Sequence, residues 1–475
     1  MTDTNFYITT TLPYVNADPH LGFATEIVLA DILARHWRVR GRAVFFNTGT
    51  DEHGLKIFRQ AVAAGLSPQA YVNHYAESFR RLRSALNLSY DNFIRTTDEA
   101  HVVAAQEFWR RVAAAGHIYK KLYPIKYCVG CELEKTDSEL EAGRCPLHPA
   151  QEIEVREEEN YFFKFSSFQK QLLDWYNHTV DFVIPERRFG EIKNFVANGL
   201  QDFSVSRLRS KMPWGVPVPD DPEQVMYVWF DALVNYISAI GWPTDMAKFG
   251  EWWPVVQLAG KDNLRQQAAM WQAMLAAAGL PFSRQVVIHG FITSSGQKMS
   301  KRLGNVIDPL VLVNDFGTDA VRYFLARHVH PFEDSDVTRE KFAEAYNANL
   351  ANGLGNLVSR LMRMTIDYGV RLPAESQKQF VFSEEEQKFL ERYEVNRVLD
   401  KIWARVGELD LKIQTTQPFV LIKTDPERAK KDVAWCVGEL WQIASALEPF
   451  LPATAATVQQ AISSHAMPPP LFPRK

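Results

Sequence analysis

The apolar run "FYITT" (residues 6–10) gives way to the turn-rich stretch "LPYVNADP". After Gly22, apolar residues recur at helical spacing: Phe23, Ile27, Ala30, Ala34 and Trp37. One helix face returns every third or fourth position, so this spacing predicts an amphipathic helix that Gly41 stops. "RAVFFNTGTDEHG" follows as a buried strand running into a polar loop, and strand–helix–strand order predicts a parallel α/β sheet. The rhythm fails over residues 120–160, which read as an insertion. It returns in "VVIHGFITSSGQKMSKRLGN" (286–305), a strand followed by a Gly/Ser/Lys loop. From about residue 338 the pattern is helical almost to the end, most clearly in "LANGLGNLVSRLMRM" and "WCVGELWQIASALEPFL". The tail "HAMPPPLFPRK" should be extended, because proline cannot continue a helix.

Composition narrows this picture. A chain of 475 residues is too long for one compact core, so two or three domains are expected. With 46% hydrophobic and 23% charged residues the balance is that of an ordinary globular protein. The net charge of -3 advertises no basic surface, so any nucleic acid must be met by a local patch. No apolar run reaches the length of a membrane span, and "MTDTNFY" has neither a basic head nor an apolar core, so the cytoplasm is the expected location.

Three stretches suggest chemistry. His20 and Gly22 fall where the first helix begins, and a helix N-terminus attracts phosphate through its unpaired N–H groups and partial positive charge. "KMSKR", Lys298 to Arg302, is a loop whose two lysines can neutralise a leaving pyrophosphate. Taken singly, each is equally a turn or a solvated basic loop. "CVGCELEKTDSELEAGRCPLH" sets Cys128, Cys131, Cys145 and His148 in a C-x2-C and C-x2-H pattern, the spacing with which four S/N ligands hold one structural zinc ion. Cys436 lies in an apolar helical pattern and reads as core.

The pairing of "PHLG" with "KMSK" resembles the two signatures of class I aminoacyl-tRNA synthetases. "TTLPYVNADPHLG", "TGTDEHGLKI", "DFSVSR", "YVWFDALVNY", "GKD", "HGFITSSGQKMSK" and "NLVSR", in that order, resemble the methionyl-tRNA synthetase family from about residue 5 to 365. The resemblance implies an α/β fold: a Rossmann-like catalytic domain split by a zinc-binding connective insertion, then an all-α helical-bundle anticodon-binding domain. Its boundaries would be 1–115 and 186–292 for the catalytic halves, 116–185 for the insertion, 293–337 for the lysine loop and stem-contact region, and 338–475 for the helical domain and tail.

The reaction implied joins methionine to tRNA(Met) with ATP, through methionyl-adenylate, with Mg2+ accompanying ATP and no membrane involved. His20, Gly22, Gly260, Asp262, Lys298 and Lys301 would meet ATP, with His20, Lys298 and Lys301 acting in catalysis. Asp51 would take the substrate ammonium, since a buried cation needs a carboxylate partner. Arg207 matches a family active-site arginine, and Leu12, Tyr14, Trp229, Ala232 and Tyr236 match the methionine pocket. Asn356, Arg360 and Phe419 would meet the anticodon, Phe419 standing where the family has a larger tryptophan. Chains of this type are expected to be monomers.

Three positions depart from the family. Asn263 and Gln267 replace an isoleucine and a histidine of the amino-acid pocket, and Phe23 replaces the second signature histidine. They keep open two alternatives: a paralogue with a changed amino acid or acceptor, and a non-catalytic tRNA-binding protein.

Overall fold

The computed structural model describes residues 5–128, 133–135, 140–146, 149–298 and 305–475. Its centre is a parallel sheet of six strands: β1 (Asn5–Thr9), β2 (Ala43–Thr50), β3 (Asn92–Arg95), β4 (Val183–Ile184), β5 (Val256–Gly260) and β6 (Gln285–His289). They lie in the order β3-β2-β1-β5-β6-β4, every neighbour parallel. The period of two along each strand serves two cores at once. Phe6, Ile8, Val256, Leu258 and Val287 enter one hydrophobic cluster, while Tyr7, Ala259, Val286 and Ile288 enter the other. A sheet buried on both faces needs such near-continuous apolar strands. The chain runs from β1 toward β2 on one side and from β5 toward β6 on the other. The carboxyl ends of β1 and β5 therefore flank the switch point, where open α/β sheets bind ligands.

The break in rhythm after residue 118 is an antiparallel ribbon. Strand Ile118–Cys128 pairs with Glu154–Phe163 along ten residues, with Leu133–Lys135 and Phe203–Ser204 at its two edges. Helices begin earlier than residue 338, at Pro309–Phe316 and Thr318–Arg327. The bundle beyond them is dominated by Asn356–Asp367, Val395–Thr416, Pro426–Leu447 and Pro452–Ser464. Cys436 is fully buried in it, and residues 466–475 are non-helical. Among the described residues no helix is long and apolar enough to cross a membrane.

Helix α1 (Leu21–Val39) carries more than its periodicity suggests. Phe23, Ile27, Ala30 and Ala34 are buried as their spacing predicts, and Gly41 follows the helix end at φ 79°. Yet Asp31 and His36 are buried too, because the helical bundle packs on the side away from the sheet and shares one core with it, and Glu26 is buried against Thr11 and His289 at the sheet's carboxyl end. A carboxylate so placed needs partners. Asp31 Oδ2 pairs with Arg322 Nη1 at 2.7 Å and Arg35 Nε at 2.7 Å, and its Oδ1 accepts from the N–H and hydroxyl of Ser89. Arg322, itself fully buried, also donates to the carbonyls of Leu86, Pro449 and Phe450 at 3.0, 3.0 and 2.8 Å. One guanidinium thus ties α1, the loop before β3 and the end of the helical bundle.

Removing one partner of a buried pair strands the other charge. Arg322→Ala is therefore expected to cost about 3–5 kcal/mol, read as a lowered midpoint in chemical denaturation. Burial alone would raise the Asp31 carboxyl, but Arg322, Arg35 and Ser89 outweigh it and hold it below the ordinary range. Stability from a lowered carboxyl is complete above its unfolded pKa, about 3.9, and is lost as pH falls through the folded value. Acid unfolding of Asp31→Asn should lack that component.

Candidate active site

His20 caps α1 with extended backbone, and its Nδ1 accepts the Gly22 N–H at 3.1 Å. In the neutral ring the proton then sits on Nε2, the form that donates to a phosphoryl oxygen. Gly22 is required by this ring as much as by any ligand: a Cβ there would lie 2.9 Å from His20 Cε1.

The loops after β1, β2 and β5 converge in front of this helix start around a cavity of about 570 Å³. Its walls include His20, Gly22, Gly260 and Asp262, together with Leu12, Tyr14, Asp51, Trp229, Ala232, Tyr236, Asn263 and Gln267. Twelve sequence-predicted positions are thereby brought together. Arg207 is not among the lining residues. Its Nη1 donates to Ser204 Oγ and the Ser206 carbonyl at 2.7 and 2.8 Å, and its guanidinium covers the Tyr227 ring at 4.3 Å. Lys298 continues a short strand paired with Ile292–Ser294, and Lys301 lies outside the described residues.

Asp51 is held from both sides by the chain after β1: its N–H donates to the Pro13 carbonyl and its own carbonyl accepts from Val15 N–H. Its carboxyl is buried, and Oδ1 has no hydrogen-bond partner among the described residues. Burial first, then the nearby Asp231 and Glu52 charges, push its pKa well up, against a hydrogen bond from His53 N–H. The neighbouring carboxylates are compensated. Glu52 receives Arg95 through two bonds of 2.7 and 2.8 Å, and Asp231 sits between His53 and His101. Gly54, at φ 116°, closes the loop where a Cβ would meet the Tyr14 hydroxyl at 2.5 Å.

Two residues that the spacing did not single out complete the centre. Glu26, one turn into α1, accepts from Thr11 N–H and Oγ1 at 2.6 and 2.8 Å and meets His289 Nε2 at 2.7 Å. Burial disfavours charge on His289, but Glu26 and the Gly290 carbonyl outweigh it and raise its pKa. This chain of contacts joins β1, α1 and β6. An acidic residue at a buried turn of an apolar helix was the available sequence signal. In the pocket, Gln267 Oε1 accepts from Gln257 Nε2 at 2.8 Å, which orients the Gln267 amide N–H groups as donors. Lys261 of "GKD" pairs with Asp334 instead of joining the cavity walls.

Elsewhere, Asn356 lines a groove of about 380 Å³ against the proline-rich tail, Arg360 pairs with Asp410 at 3.1 Å, and Phe419 is half exposed. Cys145 is fully buried beside the exposed residues 141–144, and Cys128 ends its strand. Cys131 and His148 lie outside the described residues.

An open parallel sheet with a helix start and two carboxylates around its switch point is the arrangement in which α/β proteins bind nucleotides. The chain belongs to the tRNA synthetases class I (M) family, whose model matches residues 6–155 and 134–362. It is 47% identical over 370 residues to a methionine--tRNA ligase of Thermosynechococcus vestitus, covering 77% of this chain and 70% of the relative. It is 40% identical over 474 residues to that of Nostoc sp., covering 96% and 89%. In structure it resembles Mycobacterium tuberculosis methionyl-tRNA synthetase in complex with methionyl-adenylate, with TM-score 0.87, 34% identity and 99% of both chains covered.

Phe23 is buried and meets Phe79 edge-on, with centroids 5.4 Å apart and planes at 77°. It acts as packing beside the helix start, not as a phosphate ligand. Phe23→His is accordingly expected to leave the adenylation rate within about threefold of wild type in pyrophosphate exchange, while a larger gain would show that the phenylalanine carries a catalytic cost.

Proposed function

We propose that this protein is a methionine--tRNA ligase, which activates methionine with ATP to methionyl-adenylate, releases pyrophosphate and transfers the methionyl group to tRNA(Met). The observation that carries the reading is the single cavity where His20, Asp51 and Asp262 meet an aromatic and amide-lined pocket. Asp51, buried with an unpartnered oxygen, takes the α-ammonium. Trp229, Tyr14, Leu12 and Ala232 enclose the thioether chain, and polarizable sulfur favours such ring edges. Gln267 donates to the sulfur from a fixed amide and, unlike histidine, does not titrate near neutrality. Asp262 accepts from ribose hydroxyls, and His20 with the start of α1 holds the phosphates. The methionine carboxylate attacks the α-phosphate. Lys298 and Lys301 neutralise the departing pyrophosphate, so catalysis is orientation and charge stabilisation. Mg2+ bound with ATP adds charge neutralisation on the phosphates.

The zinc ion belongs to the insertion. A thiol fully buried amid exposed residues, as Cys145 is, suits a ligand role beside Cys128, Cys131 and His148. Four protein ligands leave no open position, so the ion is structural. Asn356, Arg360 and Phe419 read the anticodon, where unpaired bases are stacked and bonded along their edges. Such charging of tRNA belongs in the cytoplasm.

Asn263 and Gln267 favour one second reading, a paralogue of changed amino-acid choice. Pyrophosphate exchange across all twenty amino acids, followed by charging of total tRNA, decides. Exchange with methionine alone and charging of tRNA(Met) are expected, and exchange with another amino acid would sink the assignment. Lys301→Ala should slow adenylate formation far more than it weakens ATP binding, since its contact is made to charge that develops in the transition state. Metal analysis should find about one zinc per chain, and chelation should destabilise the insertion.

A further inference from the structure

We propose that Asp231, gripped by His53 and His101, is a positioning residue that fixes the distance between the ammonium site and the side-chain pocket. The proposal rests on the amino-acid-activating reading above. Asp231 belongs to the short helix Val228–Ala232, between Trp229 and Ala232, which line the cavity, although it does not line the cavity itself. It is fully buried. Its Oδ2 meets His53 Nδ1 at 2.6 Å and its Oδ1 meets His101 Nε2 at 2.9 Å.

His53 stands two residues beyond Asp51, and its backbone N–H bonds the Asp51 carboxyl. One residue therefore holds both carboxylates, Asp51 by its main chain and Asp231 by its ring. His101, on helix Glu99–Ala114, reaches through Nδ1 to Ser238 Oγ at 2.9 Å, on the helix Asn235–Ser238 that carries Tyr236. The Asp231 carboxylate is thus the junction of three segments: the loop bearing Asp51, the helix bearing Trp229 and Ala232, and the helix bearing Tyr236. A substrate bound by its ammonium at one end and its side chain at the other is measured against that junction.

The electrostatics agree. Burial alone would raise the Asp231 carboxyl, but the two histidines bring it down to about 2, so it stays ionised beside Asp51. The Asp231 charge behind the cavity wall disfavours charge on Asp51 in the empty enzyme, and a bound ammonium would favour it. A junction chosen for stability alone would be better served by well-packed apolar side chains, since desolvating an ion pair is costly.

The test is steady-state pyrophosphate exchange with methionine and ATP varied separately, together with thermal melting. Asp231→Asn is expected to raise KM for methionine about tenfold or more while KM for ATP stays within about twofold. His53→Asn, whose amide nitrogen stands in for Nδ1, is expected to recover most of the methionine KM lost in His53→Ala. An unchanged methionine KM in Asp231→Asn, or an equal rise for both substrates, would overturn the proposal. If Asp231→Asn does not fold, the His53 pair decides: equal methionine KM values in His53→Asn and His53→Ala also overturn it. Wild-type exchange with a different amino acid would instead overturn the substrate assignment, and the same KM comparison made with that amino acid would then decide the junction's role.

Discussion

The buried ion pair between Asp31 and Arg322 fixes the one helix on which both halves of the molecule depend. Helix α1 lies between the parallel sheet and the helical bundle, so it has no solvent face along most of its length. A carboxylate in such a place must be compensated by a cation delivered from the opposite body, and Arg322 does this while bonding three backbone carbonyls. The geometry leaves little freedom, because shifting the bundle by a fraction of a hydrogen-bond length would leave several buried polar groups unpaired at once. The other end of the same helix carries His20. Docking of the bundle and orientation of the phosphate-binding helix start are consequently one structural fact.

The cavity itself is organised by which charges are left uncompensated. Around the end of β2 stand three buried carboxylates, those of Asp51, Glu52 and Asp231. Arg95 meets Glu52, and two histidines meet Asp231. Asp51 keeps an oxygen without a partner among the described residues and lines the cavity. A buried carboxylate without a cation is unstable in its charged form, so this wall is completed only by a positive group arriving from outside. The start of α1 also borders the cavity and brings partial positive charge to it. A zwitterionic amino acid beside a polyphosphate satisfies both at once.

Local signals in the sequence carried the first strands and the first helix, and the family resemblance carried most of the cavity. The spacing of Phe23, Ile27, Ala30 and Ala34 shows one buried face of α1, and the loops after β1, β2 and β5 carry the residues that meet in the cavity. What periodicity could not show was the second buried face, because the residues covering it are far along the chain. Glu26 illustrates the limit: its partner His289 is 263 positions away, and an acidic residue in an apolar helix names no partner. At Gly22 the His20 ring occupies much of the room that the missing side chain leaves, which no spacing in the sequence shows. Arg207 shows the reverse case, since a motif identifies the residue without fixing which way its long side chain lies, and here it lies on Tyr227.

The departures from the family pattern fall where neutral contacts suffice. At Phe23 the phosphate-attracting field comes from the backbone at the start of α1, and backbone N–H groups do not change with the side chain. Phe79 supplies the apolar neighbour that makes a phenylalanine stable there. At Gln267 the side-chain amide is held by Gln257, whose Nε2 donates to its Oε1, and it offers N–H donors without a charge. At Asp51, Asp262, Lys298 and Lys301, to which the proposed reaction gives formal charge, the sequence keeps charged residues. Replacing a hydrogen-bond donor costs little when backbone or another amide can take over. Replacing the one carboxylate that faces an ammonium has no such substitute, because the neighbouring Glu52 and Asp231 are already held by Arg95 and by two histidines.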